Sequence, residues 1–181
     1  MIGPYLIQSN NKIIPGFITK PEQGMKSIEF SELIHKDLTE HLNTLSLYLC
    51  PNRRNQANQA DENFMKYNNY YREDKHQISV LHGEKQSSKD ADGYILRAIE
   101  NGEKMIIALA NKTRMQVVKN IIIKWIKRNP LNKVKIYLDE AADSKTMNCF
   151  INHVWKDLEE NIGSLTNIFP IFIDAHTKAL L

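Results

Sequence analysis

"KVKIYLDE", residues 133–140, decides the fold. Val134, Ile136, Tyr137 and Leu138 form a short apolar run that ends in two acids. A near-continuous run of this length marks a strand buried on both faces. The same texture recurs around it. "HQISVLH" (76–82), "KMIIALA" (104–110) and "NIFPIFIDAHT" (167–177) read as strands of the same kind. Amphipathic stretches separate them. "DADGYILRAIENG" (90–102) puts Ile95, Leu96 and Ile99 on one face and stops at Asn101-Gly102. "TRMQVVKNIIIKWIKRNP" (113–130) offers Met115, Val118, Ile122 and Trp125 to a sheet and ends in a basic turn. "SKTMNCFINHVWKDLEENIG" (144–163) reads as a helix with Ser144 as N-cap and Gly163 as stop. Strands alternating with helices predict an α/β fold with a parallel sheet flanked by helices.

Upstream the texture changes. "PYLIQSNNKIIPGFITKPEQG" (4–24) holds two short apolar patches around "SNN", which fit a hairpin or irregular loops. In "SIEFSELIHKDLTEHLNTLSLYLCP" (27–51), Ile28, Phe30, Leu33, Ile34, Leu38, Leu42, Leu45 and Leu49 recur near helical spacing, and Pro51 supplies a stop. "NRRNQANQADENFMKYNNYYREDK" (52–75) is rich in Asn, Gln and charge and reads as a linker. These features predict an N-terminal extension over 1–76, with one amphipathic helix and a polar linker, and a second unit over 77–181.

Composition bounds the function. The chain has 181 residues, 42% hydrophobic and 25% charged, with net charge +3. That is enough apolar material for a core, and too little charge for a strong global field toward nucleic acid or membrane. Cys50 and Cys149 lack the spacing of a metal clip, so the default is a reducing compartment. The start of the chain has no long apolar segment behind a basic end, and no stretch approaches a membrane span. The expectation is a soluble intracellular protein with no membrane partner, in cytoplasm, nucleus, or a viral factory or virion.

The chemistry-bearing residues collect where the predicted strands end, which is where ligands bind in open α/β sheets. "GEKQSSKD" (83–90) follows the first predicted strand. It keeps part of the frame of a phosphate loop, in which small residues let backbone N–H groups converge on phosphate and a lysine neutralises it. Gly83, Ser87, Ser88, Lys89 and Asp90 would make such a loop, with Ser88 in place of a glycine and Asp90 in place of a hydroxyl. Taken alone, an ordinary polar turn into a helix fits these residues better. "VKIYLDEAAD" has the form of a Walker B segment: Asp139 would hold Mg²⁺ and Glu140 would orient or activate the attacking water. Strands ending in solvated acids are common, so the order of the two motifs adds more than either alone.

"GEKQSSKD", "IIALANKTRMQVV", "IYLDEAAD" and "IFIDAHTKALL" together resemble motifs I, Ia, II and III of superfamily 2 (DEAD/DEAH-like) helicases, most closely the helicase-like proteins of large DNA viruses and phages. The resemblance covers 78–181 and implies the first RecA-like domain, with a sheet of P-loop type. It implies ATP and Mg²⁺ as cofactors and nucleic acid, DNA or RNA, as partner. Lys89 would bind phosphate. Asn111, Lys112, Thr113 and Arg114 would contact the nucleic-acid backbone. Asp174, Ala175 and His176 would couple nucleotide state to strand movement. The chain departs from the pattern in motif I, at Ala142 of motif II, and at Asp174 and His176 of motif III. It ends soon after motif III, so the expectation is domain 1 alone, apparently truncated, with a second helicase domain on another chain. The rival reading is an inactive pseudo-ATPase serving as a nucleic-acid- or protein-binding scaffold. A weaker third is a flavodoxin-like domain with coincidental motif order.

The remaining polar residues favour bland readings. His35 and His41 are six apart, too far round a helix for a metal pair. His82 and His153 read as strand-end and mid-helix residues, and Trp125 and Trp155 as packing groups. The basic "KNIIIKWIKRNPLNKVK" fits a solvated helix face at least as well as a phosphate contact. Tyr67, Tyr70 and Tyr71 fit packing as well as base stacking.

Overall fold

The computed structural model describes residues 2–3, 7–9, 12–14, 16–19, 34, 36, 41, 43–70, 78–81, 104–140, 143–163 and 165–174. In chain order its elements are strands β1 (Ile2–Gly3), β2 (Ile7–Ser9), β3 (Lys12–Ile14), β4 (Gly16–Thr19) and β5 (Thr44–Cys50); helix α1 (Arg54–Tyr70); strands β6 (Ile78–Leu81) and β7 (Met105–Leu109); helix α2 (Lys112–Arg128); strand β8 (Lys133–Leu138); helix α3 (Ser144–Phe150), a π-helical turn (Ile151–Trp155) and helix α4 (Lys156–Asn161); and strand β9 (Ile168–Asp174). The fold is α/β. One sheet runs β1-β4-β9-β8-β5-β7-β6. From β4 to β6 every neighbouring pair is parallel, and β1 is antiparallel to β4.

The strands expected at 76–82, 104–110, 133–140 and 167–177 are present as β6, β7, β8 and β9. The apolar patches around "SNN" form the hairpin β2-β3, with Ser9 opposite Lys12. The helix expected over 90–102 lies outside the described residues.

Two expectations are corrected. The stretch 44–50 is a strand, not the end of a helix, and it sits between β7 and β8 in the middle of the sheet. The sheet therefore crosses the boundary placed at residue 76. All seven β5 residues are buried, because successive side chains enter opposite layers. Leu45, Leu47 and Leu49 pack with Ile106, Ile136 and Leu138 under α2 and α4. Tyr48 and Cys50 face the other layer with Ile107, Tyr137 and Ile171. The segment read as a linker is also corrected: 54–70 is helix α1. Among its described side chains, Ala57 and Ala60 are buried and close on the second layer. These small side chains let the first turns of the helix approach the sheet closely.

Details of the later helices follow local chemistry. Asn111 caps α2, its Oδ1 accepting the Arg114 N–H at 3.0 Å. Asp143, not Ser144, caps α3; its Oδ1 accepts from the N–H groups of Lys145 at 2.8 Å and Thr146 at 3.4 Å. At the far end of α2, the buried Asn132 donates to the Trp125 carbonyl at 2.8 Å, and the Trp125 indole donates to the Lys133 carbonyl at 2.9 Å. These bonds lock the turn between α2 and β8. Lys119 of α2 pairs with Asp157 of α4 at 2.9 Å.

Among the described residues two buried side-chain oxygens lack a hydrogen-bond partner, Ser46 Oγ and Gln56 Oε1. The Ser46 hydroxyl, in the middle of β5, is buried without a hydrogen-bond partner. An unpaired buried hydroxyl opposes folding. Ser46→Ala is therefore expected to leave stability unchanged or raise it by up to ~1 kcal/mol in urea unfolding.

Candidate functional site

The carboxyl ends of the parallel strands form one rim, and β8 delivers its acids to the middle of it. The Asp139 N–H donates to the Leu49 carbonyl at 2.9 Å, so the β8–β5 ladder continues through this residue. The Asp139 carboxylate then accepts at both oxygens. Oδ1 takes the Glu140 N–H at 2.9 Å, and Oδ2 takes the Tyr48 hydroxyl at 2.6 Å. Glu140 follows with φ 48°, in the left-handed region that side chains rarely adopt. Such strain persists where the surroundings over-determine it, often at functional sites. Glu140 Oε1 accepts from Gln56 Nε2 of α1 at 3.2 Å. Both acids are half-buried. Ala141 and Ala142 lie outside the described residues.

The two acids are thus held by one unit: Tyr48 on β5 and Gln56 on the helix that follows it. No sequence signal pointed to either. Tyr48 sits 91 residues before Asp139, in a stretch that reads as helix. Gln56 is one amide in a segment crowded with them.

Burial, and secondarily the negative Asp139, pushes the Tyr48 phenol well above its ordinary value of 10.0. Burial, then Asp139 and Glu140, pushes the Cys50 thiol up as well. A group whose pKa is higher folded than unfolded stabilises the fold fully below its unfolded pKa. In the unfolded chain these groups ionise first, so stability is lost as pH rises beyond that point. The chain is expected to lose stability progressively above about pH 9–10. Urea midpoints measured from pH 8 to 11 should fall along this range, and Tyr48→Phe should flatten part of the decline.

The remaining predicted site residues are distributed as follows. Asn111 begins α2, and its Nδ2 donates to Asn52 Oδ1 at 3.2 Å, tying the corner after β7 to the corner after β5. Lys112 and Thr113 are exposed on this rim. Arg114 is buried, 6% exposed. Asn52 and Arg53, missed in the sequence, are exposed at the same rim. Asp174 ends β9, level with Thr19 of β4. Ala175 and His176 lie outside the described residues, as do Gly83, Ser87, Ser88, Lys89 and Asp90.

The strands that lead into these segments are described, and their positions differ. β6, which leads toward Gly83, is the edge strand. β7 and β5 stand between it and β8, and Leu81 is level with Leu138 through Ala108 and Leu49. Three strand spacings separate them, roughly 14 Å. β4 lies on the other side, with only β9 between it and β8, roughly 10 Å away. The sequence that leaves β4 is "KPEQGMKS", residues 20–27, itself outside the described residues. It holds Gly24 and then Lys26 followed directly by the hydroxyl residue Ser27. "GEKQSSKD" lacks a lysine followed directly by a hydroxyl residue.

Among the described residues no group of three or more His, Cys, Asp or Glu could hold a metal ion by itself, and no helix is long and apolar enough to cross a membrane. Comparison with known protein families, with curated proteins and with solved structures found no match.

Proposed function

We propose that the chain is a RecA-like, helicase-type ATP-binding domain that uses ATP and Mg²⁺ and acts on nucleic acid, with hydrolysis completed by a second domain. The observation that carries this reading is the strand order around Asp139 and Glu140. One strand, β9, separates the acid-bearing β8 from β4. The segment after β4 carries Lys26 and Ser27 in the lysine–hydroxyl order of a phosphate loop. In this reading the phosphate grip belongs to residues 20–27, and Lys89 has no part in it.

The residues fit the metal that the reading requires. Mg²⁺ keeps several waters and is bound by one or two carboxylates together with substrate phosphates. Asp139 offers one carboxylate at the rim, and no all-protein cage stands beside it among the described residues. When bound, Mg²⁺ would neutralise charge on the phosphates; the chain's own residues orient and bind. Lys26 would neutralise phosphate and Ser27 would supply a hydroxyl ligand. Glu140, held by Gln56, would orient the attacking water. The exposed Asn52, Arg53, Lys112 and Thr113 supply the polar rim for a nucleic-acid backbone.

Equilibrium binding of a fluorescent ATP analogue tests the reading. Binding is expected to strengthen with Mg²⁺, and Asp139→Ala is expected to abolish that strengthening while preserving metal-free binding. Absence of nucleotide binding at millimolar analogue would sink the reading and favour the inactive scaffold, a possibility raised by Met25 where a second glycine is usual.

A further inference from the structure

The buried tyrosine at the centre of the sheet has no need of its hydroxyl for packing. Tyr48 lies in the interior strand β5, opposite Tyr137 of β8 in register, and both rings are fully buried in the layer beneath α1. Phenylalanine would fill the same volume without burying a polar atom, which is unfavourable unless that atom finds a partner. The partner it finds is Asp139, at 2.6 Å, the length of a charge-assisted O–H···O bond. The other carboxylate oxygen is tied to the Glu140 N–H at 2.9 Å. With a donor on each oxygen, the carboxylate plane is set by the strand β5 on one side and by its own turn on the other.

We propose that Tyr48 is a positioning residue that fixes the Asp139 carboxylate for a divalent cation arriving with a nucleotide. This inference rests on the ATP-binding reading given above. Tyr48 itself touches neither cation nor nucleotide; it acts through Asp139. Partners that orient metal-ligating carboxylates typically govern metal affinity by 10- to 100-fold.

The test uses the full chain, Mn²⁺ in place of Mg²⁺, and a non-hydrolysable ATP analogue. Free Mn²⁺ is followed by electron paramagnetic resonance in wild type, Tyr48→Phe, Asp139→Ala and the double variant. Tyr48→Phe is expected to weaken Mn²⁺ binding about tenfold or more. Analogue binding in the presence of a chelator should stay as in wild type. In the Asp139→Ala background the second substitution should add nothing. Tyr48→Leu supplies a second hydroxyl-free variant with the same expectation should Tyr48→Phe fail to fold. Wild-type Mn²⁺ affinity in the folded Tyr48 variants, with affinity lost in Asp139→Ala, would overturn the positioning role and leave the functional reading standing. No Mn²⁺–analogue binding to wild type would overturn both.

Discussion

A fragment of residues 77–181 is expected not to fold, and Leu47→Ala is expected to destabilise the full chain by ~3–5 kcal/mol. Both outcomes follow from the place of β5. Its backbone pairs with β7 from Ser46 to Cys50 and with β8 from Thr44 to Leu49. Removing it leaves facing edges of two strands with unpaired N–H and C=O groups in the middle of the sheet, each unfavourable when buried. It also strips the apolar layers of Leu45, Leu47, Leu49, Tyr48 and Cys50, all at or below 2% exposure. Leu47 alone represents a large part of a domain's net stability of about 5–15 kcal/mol. Urea unfolding followed by circular dichroism reads both effects. Cooperative unfolding of the 77–181 fragment would contradict the central position of β5.

The second large effect separates two lysines. Lys26→Ala is expected to weaken nucleotide binding by roughly 30- to 150-fold, the equivalent of about 2–3 kcal/mol for a hydrogen bond to a charged group. Lys89→Ala should leave affinity within about twofold, since in this reading Lys89 follows the edge strand β6 and takes no part in the phosphate grip. The contrast rests on sheet order. A ligand that bridges Asp139 and a lysine-bearing loop spans only β9 if the loop follows β4, and spans β5 and β7 if it follows β6. The same titration in both variants gives the answer, with circular dichroism confirming that each is folded. Equal losses, or the reverse order, would return the phosphate grip to 83–90.

How much of this was legible depended on which residues carried the signal. β7, β8 and β9 are continuous or near-continuous apolar runs bounded by polar residues, and period and length sufficed to read them. β5 misled because Leu42, Leu45 and Leu49 satisfy a helical spacing while Leu45, Leu47 and Leu49 satisfy a strand's. Only the burial of all seven residues on two faces separates the readings, and that is a property of the sheet. Helix α1 was hard to read because its first half, residues 54–63, is amides and charges with only Ala57 and Ala60 apolar, and small residues leave a weak stripe. At the site, Asp139 and Glu140 were visible as strand-end acids. Tyr48 and Gln56 were not, since their roles arise from contacts across 91 and 84 residues of chain. The choice between 20–27 and 83–90 likewise needed the order of strands, which no local spacing contains.

Covalent labelling of the full chain with ATP that carries a reactive acyl phosphate tests the central claim most directly. Such a probe acylates a lysine lying against the bound phosphates, and peptide mass spectrometry identifies it. The account predicts acylation at Lys26 that excess ATP suppresses, with Lys89 unprotected. ATP-protected acylation at Lys89, or no ATP-protected lysine anywhere in the chain, would contradict it.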